Sequence, residues 1–185
     1  LSPQTAYLVT TLLQGVVDYG TGRALRGLGL KDPVAGKTGT SHRARDAWFA
    51  GYSPERTTVV WVGYDDDTST PFSGSKAALP IWAKFTLAVR PAAGYSKFTP
   101  PSGIRVVLID PASGELATDR CPQVLSEAFP AGRIPQAVCY LHGGRFDLPL
   151  DPEMRARKQE ERKEGGLSGW LKRVFGKRQR GPEAP

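Results

Sequence analysis

The sequence contains no asparagine, and no run of apolar residues approaches the 18 that a membrane-spanning helix requires. Any motif that needs asparagine is therefore excluded. The sequence opens on Leu1-Ser2-Pro3 without an initiator methionine, so we expect it to be part of a longer protein. Hydrophobic residues make up 39% and aromatic residues 9% of the composition, which is enough for one folded core.

Positive charge is concentrated near the end of the chain. The formal net charge is +7, and residues 151–185 contain 10 of the 25 Lys and Arg residues but only 6 of the 18 Asp and Glu residues. This composition is typical of a solvated helix or a disordered tail. Apolar residues 167, 170, 171, 174 and 175 recur at helical spacing, so contact with a membrane or a partner is the alternative. No module that reads or stacks bases is visible, and we expect no nucleic-acid partner.

The pattern of apolar residues predicts both helices and strands. Ser2 and Pro3 indicate the start of a helix that runs to Asp18, with an apolar face formed by Tyr7, Leu8, Leu12, Leu13, Val16 and Val17. Strands are predicted at 34–41, 46–52 and 57–64, followed by a helix at 76–90 with Pro80 in its first turn. A hairpin of 104–109 with 115–118 is expected next, and 119–150 should be irregular.

The string Lys37-Thr38-Gly39-Thr40 lies on the first predicted strand and carries the strongest chemical signal. Lys-Thr-Gly is one of three motifs of serine acyltransferases that act on D-alanyl peptides and β-lactams, with Ser-x-x-Lys and Ser-x-Asn. The alternatives are a polar strand end or a phosphate-binding loop. Lys31 stands where that loop needs glycine, and the following segment is a strand, so we reject the phosphate loop.

The partner motifs are not found in working positions. Ser-x-Asn is impossible without asparagine, and the string Ser73-Gly74-Ser75-Lys76 matches Ser-x-x-Lys only after the Lys-Thr-Gly motif instead of before it. We interpret residues 73–76 as a helix-capping loop. His42 is expected in an exposed loop. The nucleophile should therefore lie in sequence outside these 185 residues.

The flanks of the motif closely resemble the transpeptidase domain of class A (bifunctional) penicillin-binding proteins. The resemblance covers about residues 5–90 in order and spacing, through the strings at 20–22, 34–41, 46–52, 60–65 and 78–82. Cys121, the string at 129–132, Pro135 and Cys139-x-x-His142 resemble the C-terminal extension of the same family. We predict a partial transpeptidase domain at 1–95, this extension at 96–150 and the charged tail at 151–185.

The resemblance implies an α+β fold in which an antiparallel sheet lies between flanking helices. It also implies a serine D,D-transpeptidase that cross-links peptidoglycan outside the cytoplasm, without a cofactor. Lys37 would organise the site, Thr38 and Thr40 would bind the carboxylate of a stem peptide or β-lactam, and Gly39 would let the substrate approach the backbone. The Thr40 N–H would be one oxyanion donor. The serine, a glycosyltransferase domain and the membrane anchor are expected in preceding sequence, so the chain alone should be inactive and marginally stable.

Two other functions stay open at this point. Lys-Thr-Gly alone does not separate a transpeptidase from a D,D-carboxypeptidase or β-lactamase, although the flanking strings favour the former. The second of these functions is that of a non-catalytic extracytoplasmic binding module on the same scaffold.

The two cysteines allow several arrangements. An extracytoplasmic compartment favours a disulfide between Cys121 and Cys139, and two free buried thiols are the alternative. Together with His142 they give three zinc ligands but no fourth candidate nearby in sequence, so we expect no metal site.

Overall fold

The computed structural model describes residues 1–146, which form two compact units. The first comprises Leu1–Ile104 and the second begins at Arg105, whereas the boundary predicted from sequence is 95/96. The predicted tail at 151–185 lies outside the described residues. Within residues 1–146, no helix is long and apolar enough to cross a membrane.

Helix α1 spans Pro3–Asp18, as predicted from its start signal. Ser2 is the N-cap, and its hydroxyl accepts a hydrogen bond from the Thr5 N–H at 3.1 Å. The predicted apolar face is only partly covered, because Val17 is fully buried while Leu12 is 67% exposed. A short helix, α2, follows at Ala24–Gly27.

Three antiparallel strands form the sheet of the first unit in the order β1-β2-β3. They span Ala35–Thr40, Asp46–Tyr52 and Thr57–Gly63, each within one residue of the prediction at either end. β2 is the central strand, and its residues alternate between buried and exposed positions as period-two geometry requires. β1 is left as one edge of this sheet.

Helix α3, at Ala78–Ala88, packs on β2 and β3 and completes the main core. It is shorter than predicted at both ends, and Pro80 lies in its first turn as expected. Trp82 meets the ring of Phe49 edge-on at a centroid distance of 5.0 Å and donates its indole N–H to the Thr58 carbonyl at 3.0 Å. α1 contributes Val17 to the same core, so both helices cover the Phe49 face of the sheet.

Apart from Ile104, which closes the first unit, β4 at Ile104–Ile109 belongs to the second unit and pairs with β5 at Leu125–Pro130. The predicted hairpin of 104–109 with 115–118 forms only next to its turn, where the Asp110 N–H donates to the Glu115 carbonyl and the Ala117 N–H donates to the Leu108 carbonyl, each at 2.9 Å. A single antiparallel bridge joins Ile109 to Leu116, and Leu116 then bridges Val138 in parallel. The turn at 110–114 was predicted, but the chain after it leaves the ladder for contacts with residues 137–139.

Candidate functional site

The Lys37-Thr38-Gly39-Thr40 string lies on β1, the edge of the three-stranded sheet. Just beyond the last ladder pair, the Ser41 N–H donates to the Asp46 carbonyl at 3.0 Å, so Ser41 and Asp46 form a hydrogen-bonded pair. Hydrogen-bonded and non-hydrogen-bonded pairs alternate along an antiparallel ladder. The backbone N–H and C=O groups of Thr38 and Thr40 are therefore directed away from β2, toward the open edge.

The side chains of Thr38 and Thr40 lie on the same face of the strand. Thr38 and Thr40 lie opposite Phe49 and Ala47 on the sheet face that the helices cover. The Thr40 hydroxyl accepts the Gly74 N–H at 3.0 Å and keeps its own hydrogen for a ligand. The Thr38 hydroxyl lies 3.0 Å from that of Thr21, and this pair uses one of its two hydrogens internally. Thr40 thus retains its hydroxyl donor, and the Thr21–Thr38 pair retains one donor between its two hydroxyls.

Lys37 is exposed on the opposite face of β1, across from Ala50. Its ammonium donates to the Thr38 carbonyl at 3.0 Å, and that carbonyl faces the open edge. The positive charge is therefore held at the edge although the side chain starts from the other face. Within residues 1–146, Lys37 forms no ion pair with a carboxylate.

Gly74 allows the segment at 73–77 to lie against the motif. A Cβ at Gly74 would come within 2.4 Å of the Gly39 carbonyl oxygen and 2.3 Å of the Trp48 carbonyl oxygen. Only a residue without a side chain fits there. Sequence analysis missed this contact, because the two segments are 34 residues apart and no local pattern links them.

Ser73 is half-buried in the same segment, and its hydroxyl lies 2.8 Å from that of Ser75. The interpretation as a capping side chain is wrong: the N-cap of α3 is Ala77, and it has no side-chain cap. The Ser73 carbonyl instead accepts the N–H groups of Lys76 and Ala77 in a turn.

The turn between β1 and β2 is fixed in an unusual backbone conformation next to the motif. Arg43 and Ala44 adopt φ of 57° and 51°, in the left-handed region. The Thr70 N–H and hydroxyl both donate to the Ala44 carbonyl, at 2.8 and 2.6 Å. Arg45 pairs with Asp67 across the same loop. His42 is exposed in this turn, as predicted.

Asp46 anchors the end of that turn to β3. Its carboxylate accepts the Trp61 indole N–H at 2.8 Å, and its backbone N–H donates to the Ser41 hydroxyl at 2.8 Å. The hydrogen bond from Trp61 to the carboxylate, and after it the interaction of the carboxylate with the Ser41 side chain, hold the pKa of Asp46 below its ordinary value. The rim of the β1 edge is thus positioned by interactions on both sides.

The cysteines of the second unit are both buried and free, in place of the predicted disulfide. Cys121 is hydrogen-bonded to Thr118, and the Cys139 thiol donates to Asp110 Oδ2 at 2.9 Å. The expectation that no fourth metal-binding group lies near them is wrong, because ligand atoms of Asp110, Cys121, Cys139 and His142 all lie within 4.8 Å of one another. The turn at 110–114 brings Asp110 back toward Cys121, which sequence analysis interpreted only as hairpin geometry.

The thiols differ in their surroundings. Burial acts to raise the pKa of Cys121, but hydrogen bonds from Thr118 and from neighbouring groups outweigh it, so this pKa is lowered. Burial, together with donation to Asp110, raises the pKa of Cys139.

A mixed sheet-and-helix fold with Lys-Thr-Gly on an edge strand is what the resemblance to a penicillin-binding transpeptidase domain implies. The family model for the penicillin binding protein transpeptidase domain matches residues 1–86, and that for the penicillin-binding protein 1A C-terminal domain matches residues 100–144. The chain belongs to the class A penicillin-binding proteins and carries part of their transpeptidase domain.

Relatives and a solved structure agree with this assignment. The chain is 37% identical to penicillin-binding protein 1A of Pseudomonas aeruginosa over 150 residues, covering 79% of this chain and 18% of the relative. It is 30% identical to penicillin-binding protein 1B of Escherichia coli, covering 94% and 21%. The crystal structure of penicillin-binding protein 1A from Haemophilus influenzae superposes with a TM-score of 0.63 at 26% identity, covering 75% and 22%. The chain thus spans about a fifth of the length of these proteins.

Proposed function

We propose that the β1 edge is the substrate-carboxylate wall of a serine D,D-transpeptidase that cross-links peptidoglycan outside the cytoplasm. The observation that carries this proposal is the arrangement of Thr38 and Thr40. The Thr40 hydroxyl keeps its hydrogen, the Thr21–Thr38 pair keeps one of its two, and both Thr38 and Thr40 turn their backbone groups toward the open strand edge. An extended peptide can lie along such an edge and receive donors at fixed spacing.

Each group of the edge then has a role in acyl transfer. The hydroxyls of Thr38 and Thr40 bind the terminal carboxylate of a stem peptide or of penicillin. The Thr40 N–H donates to the carbonyl oxygen that gains negative charge when the serine attacks. The Lys37 ammonium, held at the edge by the Thr38 carbonyl, supplies a positive field for both anionic groups. Gly39 keeps the strand surface free of a side chain where the substrate passes.

The remaining catalytic and anchoring parts come from sequence outside these 185 residues. We assign to it the nucleophilic serine with its lysine partner, the Ser-x-Asn motif, the glycosyltransferase domain and the membrane anchor. The similarity to relatives about five times longer supports this assignment. No cofactor takes part, since serine acylation needs only positioned donors and a base.

The test measures acylation of the whole encoded protein by a fluorescent penicillin. A hydrogen bond to a charged group contributes about 1.5–3 kcal/mol, so Thr38→Val and Thr40→Val should each lower the second-order acylation rate roughly 10- to 100-fold. Thr→Ser at either position keeps the hydroxyl and should recover most of the rate. Thr57→Val, on the far strand β3, is the matched control and should stay within about twofold.

Two results would contradict the proposal. Wild-type acylation of both valine variants would remove the threonines from the site. Absence of any adduct on the whole wild-type protein would favour the non-catalytic scaffold. The 185-residue chain incubated alone should give no adduct, and an adduct there would return Ser73 to consideration as a nucleophile.

A further inference from the structure

The second unit contains a group of four ligating side chains that the transpeptidase reaction does not use. Asp110, Cys121 and Cys139 are buried, and the His142 side chain is 28% exposed. We propose that these four residues bind a structural zinc ion. This inference concerns the second unit and is independent of the proposed catalytic role of β1.

The distances fit a tetrahedral site. Asp110 Oδ2 lies 2.9 Å from Cys139 Sγ and 3.0 Å from His142 Nδ1, and the last two atoms are 3.4 Å apart. Zinc bonds of about 2.0–2.3 Å place tetrahedral ligand atoms about 3.3–3.8 Å from one another. The short distances would have to lengthen by a few tenths of an ångström to admit an ion, and the wider ligand pairs, which lie within 4.8 Å, would have to close by up to about 1 Å. Two thiolates, one imidazole and one carboxylate form a donor set that zinc accepts.

The geometry argues against a catalytic relay of the cysteine, histidine and aspartate. In such a relay the carboxylate and the nucleophile occupy opposite nitrogens of the imidazole ring. Here Asp110 and Cys139 both approach Nδ1 of His142. Atoms that converge on one point from different segments are arranged as ligands arrange around an ion.

A disulfide explains fewer of the same contacts. It would account for the two sulfur atoms but not for a carboxylate and an imidazole directed at the same place. In the Asp110 carboxylate, Oδ1 accepts the Ala112 N–H of the turn, whereas Oδ2 accepts the Ser113 hydroxyl at 3.2 Å and also faces Cys139 and His142. The Thr118 N–H and hydroxyl lie 3.2 and 3.3 Å from Cys121 Sγ, as outer groups that orient a thiolate ligand do.

A cross-link would stabilise this unit. Within the described residues its core cluster comprises Leu108, Ala117, Cys121 and Cys139, half of them cysteines, and Val107 and Leu116 are also buried. So small an apolar core is rarely sufficient without a metal or a covalent bridge. The four ligands come from the end of β4, from the segment after Thr118 and from residues 139–142, so one ion would tie three parts of the unit together.

Zinc binding would release two protons. Cys121 and Cys139 each lose one proton to become thiolates, His142 binds as a neutral imidazole, and Asp110 binds as a carboxylate. With four protein ligands no position is open to water, which is the arrangement of structural sites. The partly exposed His142 gives the ion an entry path.

The test uses the whole encoded protein, isolated from the extracytoplasmic compartment without chelator. Elemental analysis should find zinc in the wild-type protein, and thiol titration after denaturation should find Cys121 and Cys139 reduced. After removal of zinc, Co²⁺ should give the visible absorption of a tetrahedral thiolate site. Asp110→Asn and His142→Gln should each weaken zinc binding roughly 100-fold or more, since loss of an outer-shell group alone costs 10- to 100-fold.

Matched controls separate ligand loss from general damage. Glu115→Gln changes a carboxylate close to the same turn, and His42→Gln changes the other histidine of the chain, so both should bind zinc as the wild type does. Circular dichroism of the zinc-loaded Asp110→Asn protein checks that it folds. A quantitative disulfide between the cysteines would overturn the proposal, as would reduced protein that binds no zinc. Unchanged affinity and an unchanged cobalt spectrum in Asp110→Asn would also overturn the four-ligand assignment.

Discussion

Substitution of Gly74 by alanine should displace the segment that supports the Lys-Thr-Gly strand. The added Cβ would lie 2.3 Å from the Trp48 carbonyl oxygen and 2.4 Å from that of Gly39, whereas real Cβ contacts do not fall below 3.0 Å. Both contacts are backbone atoms, which cannot rotate away. The segment and the strand must therefore separate by about 0.7 Å, at a cost of about 1–3 kcal/mol.

The displacement acts directly on the proposed site, because the Gly74 N–H donates to the Thr40 hydroxyl. A shift of about 1 Å in a positioning group can lower a rate about 100-fold. We expect Gly74→Ala to lower penicillin acylation of the whole protein roughly 10- to 100-fold while the domain stays folded by circular dichroism. Gly27→Ala is the matched control, because a Cβ there meets nothing within 4 Å. Wild-type acylation of Gly74→Ala would refute the reasoning.

The remaining predictions concern stability. The pKa of Asp32, which burial would raise, is held below its ordinary value by the hydrogen bond from Arg90. Asp32→Asn should therefore lower the free energy of unfolding by about 2 kcal/mol at pH 7, and by less as the pH falls below about 4, where the carboxyl of the unfolded chain begins to protonate while the native carboxylate is still charged. Urea unfolding at both pH values checks this, and an equal loss at each would contradict it. Trp82→Phe should cost about 2 kcal/mol through lost volume and an unpaired Thr58 carbonyl, whereas Trp48→Phe, at a 41% exposed position, should cost less than about 1 kcal/mol in the same assay.

The first unit was predictable because its signals are local. Ser2 and Pro3 fix the start of α1, and the turn residues at 53–56 separate two strands rich in β-branched and aromatic residues. The period-two alternation of a strand is enough to predict that Thr38 and Thr40 share one face of β1. Which face that is, and which backbone groups point to the open edge, depend on the register with β2, and local sequence does not determine a register.

The second unit was predicted less well because its pairings are distant in sequence. Residues 115–118 follow a recognisable turn, yet β4 pairs with residues 125–130. The four-residue group was missed for the same reason, since Asp110 is 29 positions from Cys139, with which it shares a 2.9 Å contact. Contacts of this range carry a larger loop-closure entropy and leave no periodic trace in the chain.

Two buried aspartates show why the zinc proposal concerns charge as much as geometry. The Asp32 side chain is 6% exposed, and the permanently charged guanidinium of Arg90 lies 2.7 Å away. The Asp110 side chain is 2% exposed, and within residues 1–146 its only ion-pair partner is His142, which is charged only when protonated. A buried carboxylate is costly unless a cation stays beside it. A bound dication would supply for Asp110 the lasting positive charge that Arg90 supplies for Asp32. Removal of zinc at neutral pH should therefore destabilise the second unit more than the first unit.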